Sequence, residues 1–253
     1  MALKKSLLIS AGVLSFVITA VATLPAAMVL PRLPLPANVQ IGPASGTLWQ
    51  GQVQAIQQGS LILSDVRWQW QPMALLRGNL GLKITAGNMR QTEHIYLATL
   101  AEFGWQSLRL QQTDIRLPVA RLLPMITLPM PVDAAGVLRL DIVDYQWGQP
   151  YCQQLAGNTR WLQAKFKTPI GWLDLQQLQG VLQCDNGSLV LTTDGQNPLG
   201  LAVTAKLDAG TYSLSGTLKP DASMPREVHD AMQFVGQANA DGAFPIQLAG
   251  QIR

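Results

Sequence analysis

From Ala44 onward the chain repeats with a period of two, and that period constrains its fold more than any other feature. Trp49, Gly51, Val53 and Ala55 alternate with Gln50, Gln52 and Gln54; Val66, Trp68 and Trp70 alternate with Arg67, Gln69 and Gln71. Successive side chains of a strand point to opposite faces, so each pair of sets marks one buried and one wet face. Near the C-terminus Leu178, Gly180, Leu182 and Cys184 oppose Gln177, Gln179, Val181 and Gln183. Asp185-Asn186-Gly187 then supplies residues that tolerate positive φ, and Ser188 to Thr192 returns, which predicts a hairpin. Leu201, Val203, Ala205 and Leu207 form the next apolar face. After a turn at Asp208-Ala209-Gly210 come Tyr212, Leu214, Gly216 and Leu218, which makes an antiparallel meander with one solvated side.

Helical signals are few. Pro118 to Thr127 and Pro225 to Val235 carry helical spacing, and Leu75-Leu76-Arg77-Gly78 reads as a single helical turn between strands. The expected class is therefore mainly β: one curved antiparallel sheet with a few short helices. Its edges must be blunted by prolines or charges, covered by helices, or met by a partner. Its apolar face must curl on itself, sandwich, or hold an apolar ligand.

Ahead of this body, Lys4 and Lys5 precede an uncharged stretch from Ser6 to Pro31 that is apolar from Leu7 to Leu24 and again from Ala26 to Leu30. About 20 residues of helix cross a hydrocarbon core, so the stretch is long enough to span. A secretory signal has an apolar part of only about 7–15 residues, yet Thr23-Leu24-Pro25-Ala26-Ala27 has the small residues a signal peptidase accepts, so cleavage stays as the alternative. With the lysines held inside, the expected order is a cytoplasmic start at 1–6, a transmembrane helix at 7–30, a proline-rich spacer at 31–43 and an exported β-rich domain at 44–253.

Charged residues make up only 13% of the chain and apolar residues 48%, which excludes disorder. The net charge of +3 equals the contribution of Lys4, Lys5 and Arg32, so the body is neutral and a nucleic-acid partner has no support. Much of the polarity comes from 26 glutamines, which predicts faces solvated by amides. The two cysteines, Cys152 and Cys184, lie in the exported part, where an oxidising compartment favours a disulfide; two buried free thiols are the rival reading.

Catalytic constellations are missing from the pattern. His94 and His229 belong to no zinc or triad spacing. Asp141 and Asp144, three apart in a strand, are expected on opposite faces, and Gly42-Pro43-Ala44-Ser45-Gly46 lacks the lysine of a phosphate loop. No cofactor or metal is expected. Trp49, Trp68 and Trp70 are candidate structural or interaction residues, with packing across the first hairpin as the favoured role.

Gly46-Thr47-Leu48-Trp49-Gln50-Gly51, Val66-Arg67-Trp68-Gln69-Trp70-Gln71-Pro72 and Leu75-Leu76-Arg77-Gly78-Asn79-Leu80 resemble the opening of the type II secretion system protein N family. Cys152 with Gly157 to Trp161, and Cys184-Asp185-Asn186-Gly187, resemble its second half. The resemblance implies a single-pass inner-membrane protein of Gram-negative bacteria with a periplasmic domain. Its implied role is accessory to export of folded proteins, by contact with other secretion subunits and without catalytic residues. The chain is also distantly similar to AsmA-like proteins, which implies a curved sheet with an apolar inner face and makes lipid or a hydrophobic ligand the alternative partner. Oligomeric state is not legible.

Overall fold

The computed structural model describes residues 2–32, 36, 38–59, 61–125, 133–168, 171–232 and 236–251, with N-terminal side chains described from Gly12. Fourteen strands in these residues form one antiparallel sheet. The sheet opens with β1 (Val39–Ile41), β2 (Ala44–Gly46), β3 (Gln50–Gln58), β4 (Leu61–Gln71) and β5 (Leu80–Ala86). Its middle is β6 (Tyr96–Phe103), β7 (Leu108–Pro118), β8 (Ala134–Trp147), β9 (Cys152–Thr168) and β10 (Gly171–Asp185). It closes with β11 (Ser188–Thr192), β12 (Ala202–Asp208), β13 (Thr211–Leu218) and β14 (Phe244–Gln251). From β3 to β14 every strand pairs with its sequence neighbours, while β1 and β2 both pair with β3. The topology is thus a simple meander, and alternate connections lie at the same end of the sheet.

The turns explain the register. Asn186 (φ 49°) and Gly187 (φ 90°) between β10 and β11 both occupy the left-handed region, as do Ala209 (φ 44°) and Gly210 (φ 83°) between β12 and β13. Two consecutive positive φ angles give the primed turn whose twist matches paired strands. Strand irregularities add bends. Gln112, Gln163 and Gln176 have positive φ inside β7, β9 and β10, where the register shifts by a residue. Each such bulge bends its strand and raises the local twist.

One bulge corrects a reading of the sequence. The ladder skips Val143, so Asp141 pairs with Asp114 and Asn158 while Asp144 pairs with Gln111 and Ala156. The extra residue absorbs half a pleat, and both carboxylates project from the same face rather than from opposite ones.

Helices are short except the first. The proline-initiated segments give α3 (Val119–Leu122), continued by a 3-10 turn at Leu123–Met125, and α4 (Arg226–Met232); residues 126–127 and 233–235 of the expected helices lie outside the described residues. The turn after β4 is a 3-10 segment over Pro72–Arg77, closed by Gly78 at φ 74°. At the N-terminus, α1 (Ala2–Ala22) is followed by α2 (Ala26–Val29). Among the described residues no helix is long and apolar enough to cross a membrane. The described side chains of α1, Gly12 to Ala22, are all exposed.

Contact with the sheet starts at the end of α1, before the proline-rich segment. The Leu48 N–H donates to the Leu24 carbonyl at 3.1 Å, Pro25 forms an isolated bridge with Thr47, Ala26 is fully buried, and Leu30 packs on the Val53, Val66 and Ala86 cluster. Residues 39–41 add a strand ahead of Ala44.

Candidate functional site

Cross-strand partners share a face, so the register can be followed across the molecule. One row runs from Gly51 through Trp68, Ile84 and Thr99. Thr99 Oγ1 lies 2.6 Å from Thr113 Oγ1, a buried hydroxyl pair that carries the row past the bulge in β7. From Thr113 the row continues through Ile142, Gly157, Leu182, Leu191, Ala205 and Leu214 to Leu248. No residue of this row is charged. The row behind it runs from Arg67 through Thr85, Ala98, Asp114, Asp141 and Asn158 to Val181, Thr192, Thr204, Ser215 and Gln247, mostly polar.

The apolar face is incompletely covered. Ile84, Ile142, Leu182, Leu191 and Leu214 are half-buried rather than buried, and Leu248 is exposed. Among the described residues, one cluster of buried apolar side chains forms around Val53, Val66 and Ala86 and another around Ala164, Leu175 and Leu178. A compact monomer of 27.4 kDa exposes about 10,900 Å² by surface scaling, whereas this chain exposes 16568 Å².

The three candidate tryptophans meet at the first hairpin. Trp49 and Trp70 have ring centroids 5.3 Å apart and tilted by 56°, within the range of favourable aromatic contact. Trp68 lies over Gly51, where an added Cβ would collide with its Cζ2, and donates its indole N–H to the Leu48 carbonyl at 3.0 Å. Trp49 donates its own to the Val21 carbonyl at 2.9 Å, tying the end of α1 to the sheet. The Trp70 indole N–H is buried without a partner. The loop that aims Trp49 is held by Thr47 Oγ1, which accepts from the Trp49 and Gln50 amides at 3.3 and 3.2 Å. Gly46 (φ 85°) is required there because a Cβ would meet the Gln50 carbonyl at 2.5 Å.

Cys152 and Cys184 form a disulfide with Cα atoms 6.1 Å apart, joining the start of β9 to the end of β10. Tyr151 braces the same corner: its amide donates to the Gly187 carbonyl at 3.0 Å, its carbonyl accepts from the Tyr145 hydroxyl, and its hydroxyl accepts from the Gly210 amide, both at 2.5 Å.

On the polar face, Asp114 and Asp141 sit opposite one another, which alone would be repulsive. Arg139 bridges both at 3.3 and 2.8 Å, Arg116 adds a bond to Asp114 at 2.9 Å and Arg160 one to Asp141 at 2.7 Å. Partial burial pushes the Asp141 carboxyl up, but the hydrogen bonds from Arg160 and Arg139 outweigh it and hold the group below its ordinary range. Asp144 is paired with Arg109 at 2.6 Å. Both carboxylates are thus committed to arginines, an arrangement that stabilises a sheet and leaves no proton-accepting pair. His94 follows β5 and His229 lies on α4 between β13 and β14, eight strands apart. Among the described residues no three His, Cys, Asp or Glu side chains are grouped to hold a metal.

Sequence reasoning missed a set of exposed apolar side chains in the connections. Met73, Leu75 and Leu76 lie between β4 and β5, Phe103 and Trp105 at the β6 to β7 connection, and Trp147 at the end of β8. Their signal was available: bulky apolar residues at turn positions, beside Gly78 and Gly104, where polar ones are the rule.

The family described as type II secretion system (T2SS), protein N, matches residues 37–247. The chain is 32% identical over 236 residues to a type II secretion system protein N of Aeromonas hydrophila, covering 90% of this chain and 91% of the relative. It is 29% identical to that of Vibrio cholerae serotype O1, with the same coverage, and 28% identical to that of Pectobacterium carotovorum subsp. carotovorum over 89% of each chain. No solved structure matches.

Proposed function

The chain belongs to the type II secretion system protein N family, and from that premise we propose that it is a non-enzymatic component of a type II secretion apparatus. In this reading the apolar stretch from Leu7 to Leu30, only part of which lies among the described side chains, anchors it in the inner membrane through α1, Lys4 and Lys5 remain cytoplasmic, and the sheet stands in the periplasm as a docking platform for other secretion subunits. The disulfide supports the periplasmic placement, since such bonds persist in oxidising compartments.

The observation that carries the docking role is the edge strand β14. Phe244–Gln251 holds no charged residue and only Pro245 as a blunting device, although natural edges are usually protected by lysines, bulges or cover. An edge of this kind accepts a partner strand through backbone hydrogen bonds. Deleting the protein is expected to lower secretion of folded exoproteins while outer-membrane lipid content stays unchanged. Photocrosslinkers at Gln247 and Ala249 are expected to capture a secretion subunit. Intact secretion in the deletion strain, with no subunit captured, would reject the reading.

A second reading rests on the half-buried apolar row from Ile84 to Leu248. An uncovered face of this length suits an acyl chain or another hydrophobic ligand. Mass spectrometry of the gently purified chain is expected to find copurified lipid if this reading holds, and repeated absence of lipid sinks it.

A further inference from the structure

In a strict antiparallel meander the connections after β2, β4, β6 and β8 share one end of the sheet, and that end also receives α1. The Trp49 indole bonded to the Val21 carbonyl and the Leu48 amide bonded to Leu24 fix the exit of α1 there. The same end carries the most exposed large apolar side chains of the sheet domain: Trp105 is 97% exposed, Leu76 83% and Met73 72%. Single exposed apolar residues are ordinary on protein surfaces, but here they crowd the tips of neighbouring connections. Arg77, in the same connection as Leu76, keeps a largely exposed side chain while paired to Glu102.

We propose that this end of the sheet is a membrane-contact rim. Met73, Leu75, Leu76 and Trp105 insert into the interfacial layer of the same bilayer that α1 enters, with Arg77 at the level of lipid phosphates. The inference rests on α1 being the membrane anchor. The chemistry fits: tryptophan is enriched at the boundary of hydrocarbon and headgroup, leucine and methionine gain from burial below it, and arginine snorkels towards phosphate. Proximity to the anchor holds these tips at high local concentration against lipid, so even a modest intrinsic affinity suffices. The strands then stand upright on the bilayer, and the apolar face opens at the lipid surface instead of being held away by a slack tether.

The test uses the full chain reconstituted in vesicles of phosphatidylethanolamine and phosphatidylglycerol at 3:1. With the native cysteines joined as a disulfide, Leu76→Cys, Trp105→Cys, Met89→Cys and Leu14→Cys each provide one thiol for a spin label. Met89 is an exposed reference at the opposite end of the sheet, and Leu14 reports on α1. Labels at 76 and 105 are expected to collide several-fold less with an aqueous nickel complex than the label at 89, and several-fold more with lipid-dissolved oxygen. Labels at 76 and 105 as water-accessible as that at 89 overturn the proposal, whatever the label at 14 reports. Shielding from both reagents overturns it too, because protein and not lipid then covers the rim. A label at 14 in water with the rim labels in lipid sinks the anchor reading and with it the claim that rim and α1 share one bilayer, while lipid-shielded rim labels beside a lipid-exposed label at 14 support both.

Discussion

A chain in which Cys152 and Cys184 are both replaced by serine is expected to lose about 3–4 kcal/mol of stability, since the bond closes a loop with a sequence separation of 32. The figure is the chain-entropy cost restored to the unfolded state, and it is a large share of the roughly 5–15 kcal/mol that holds a typical domain together. Location adds to it. The bond joins β9 and β10, the two longest strands, at the corner where Tyr151 ties the β8 to β9 connection to both of the following hairpin turns. Cys152 is 2% exposed, so the serine hydroxyl put in its place enters a site built for sulfur. Denaturant titration of the detergent-solubilised chain checks the value. An unfolding free energy unchanged within about 1 kcal/mol would mean that strand pairing alone secures this corner. In cells the same variant is expected to be cleared by proteolysis, and under the proposed role secretion should fall with its abundance.

The sequence pattern was readable where inward residues are large and the turn chemistry is explicit. The β10 to β13 segment is the clearest case, because Asn186-Gly187 and Ala209-Gly210 take the left-handed angles that the hairpins need. The strands from β5 to β9 were not readable as a row. Their inward positions include Thr99, Thr113 and Thr159, buried hydroxyl residues that break the apolar signal, and Ala86 and Ala101, which are too small to mark a face. Bulges hid the rest. A positive φ at Gln112, Gln163 or Gln176 resets the alternation midway along a strand, so a count of two from one end fails at the other. Asp141 and Asp144 show the consequence, since a skipped Val143 brings both to one face. The phase of β3 and β4 shifts in the same way. Val53 pairs with Val66, but the next inward pair is Ile56 with Leu63, so Ile56 and not Ala55 joins the core cluster. Among candidate surfaces, the tryptophan cluster stood out in the sequence. The rim did not, because it forms only when the meander brings separate connections to one end.

Trp68→Ala is expected to cost about 3 kcal/mol, the lower end for loss of a large aromatic, because the ring is half-buried rather than sealed. Three contacts disappear together. The ring leaves the surface of the Val53, Val66 and Ala86 cluster, the space over Gly51 empties, and the Leu48 carbonyl loses its indole donor. Gly51 cannot fill the gap, since it has no side chain and its backbone is held in the ladder opposite Trp68. Two comparisons separate packing from surface recognition. Trp70→Phe removes an indole N–H that bonds to nothing while keeping an aromatic ring beside Trp49, so it should be close to neutral in stability. Trp105→Ala, at a position 97% exposed, should leave the denaturation midpoint in place and act only on membrane contact. If instead Trp68→Ala melted with the parent chain while crosslinking to a secretion subunit vanished, the indole would belong to an interaction surface. The first hairpin would then have to be held by β3 and β4 pairing and by the end of α1. The physical expectation runs the other way: Trp68 packs the hairpin, its neighbour Trp49 ties that hairpin to the helix, and any partner meets the sheet elsewhere, at its edge or its uncovered face.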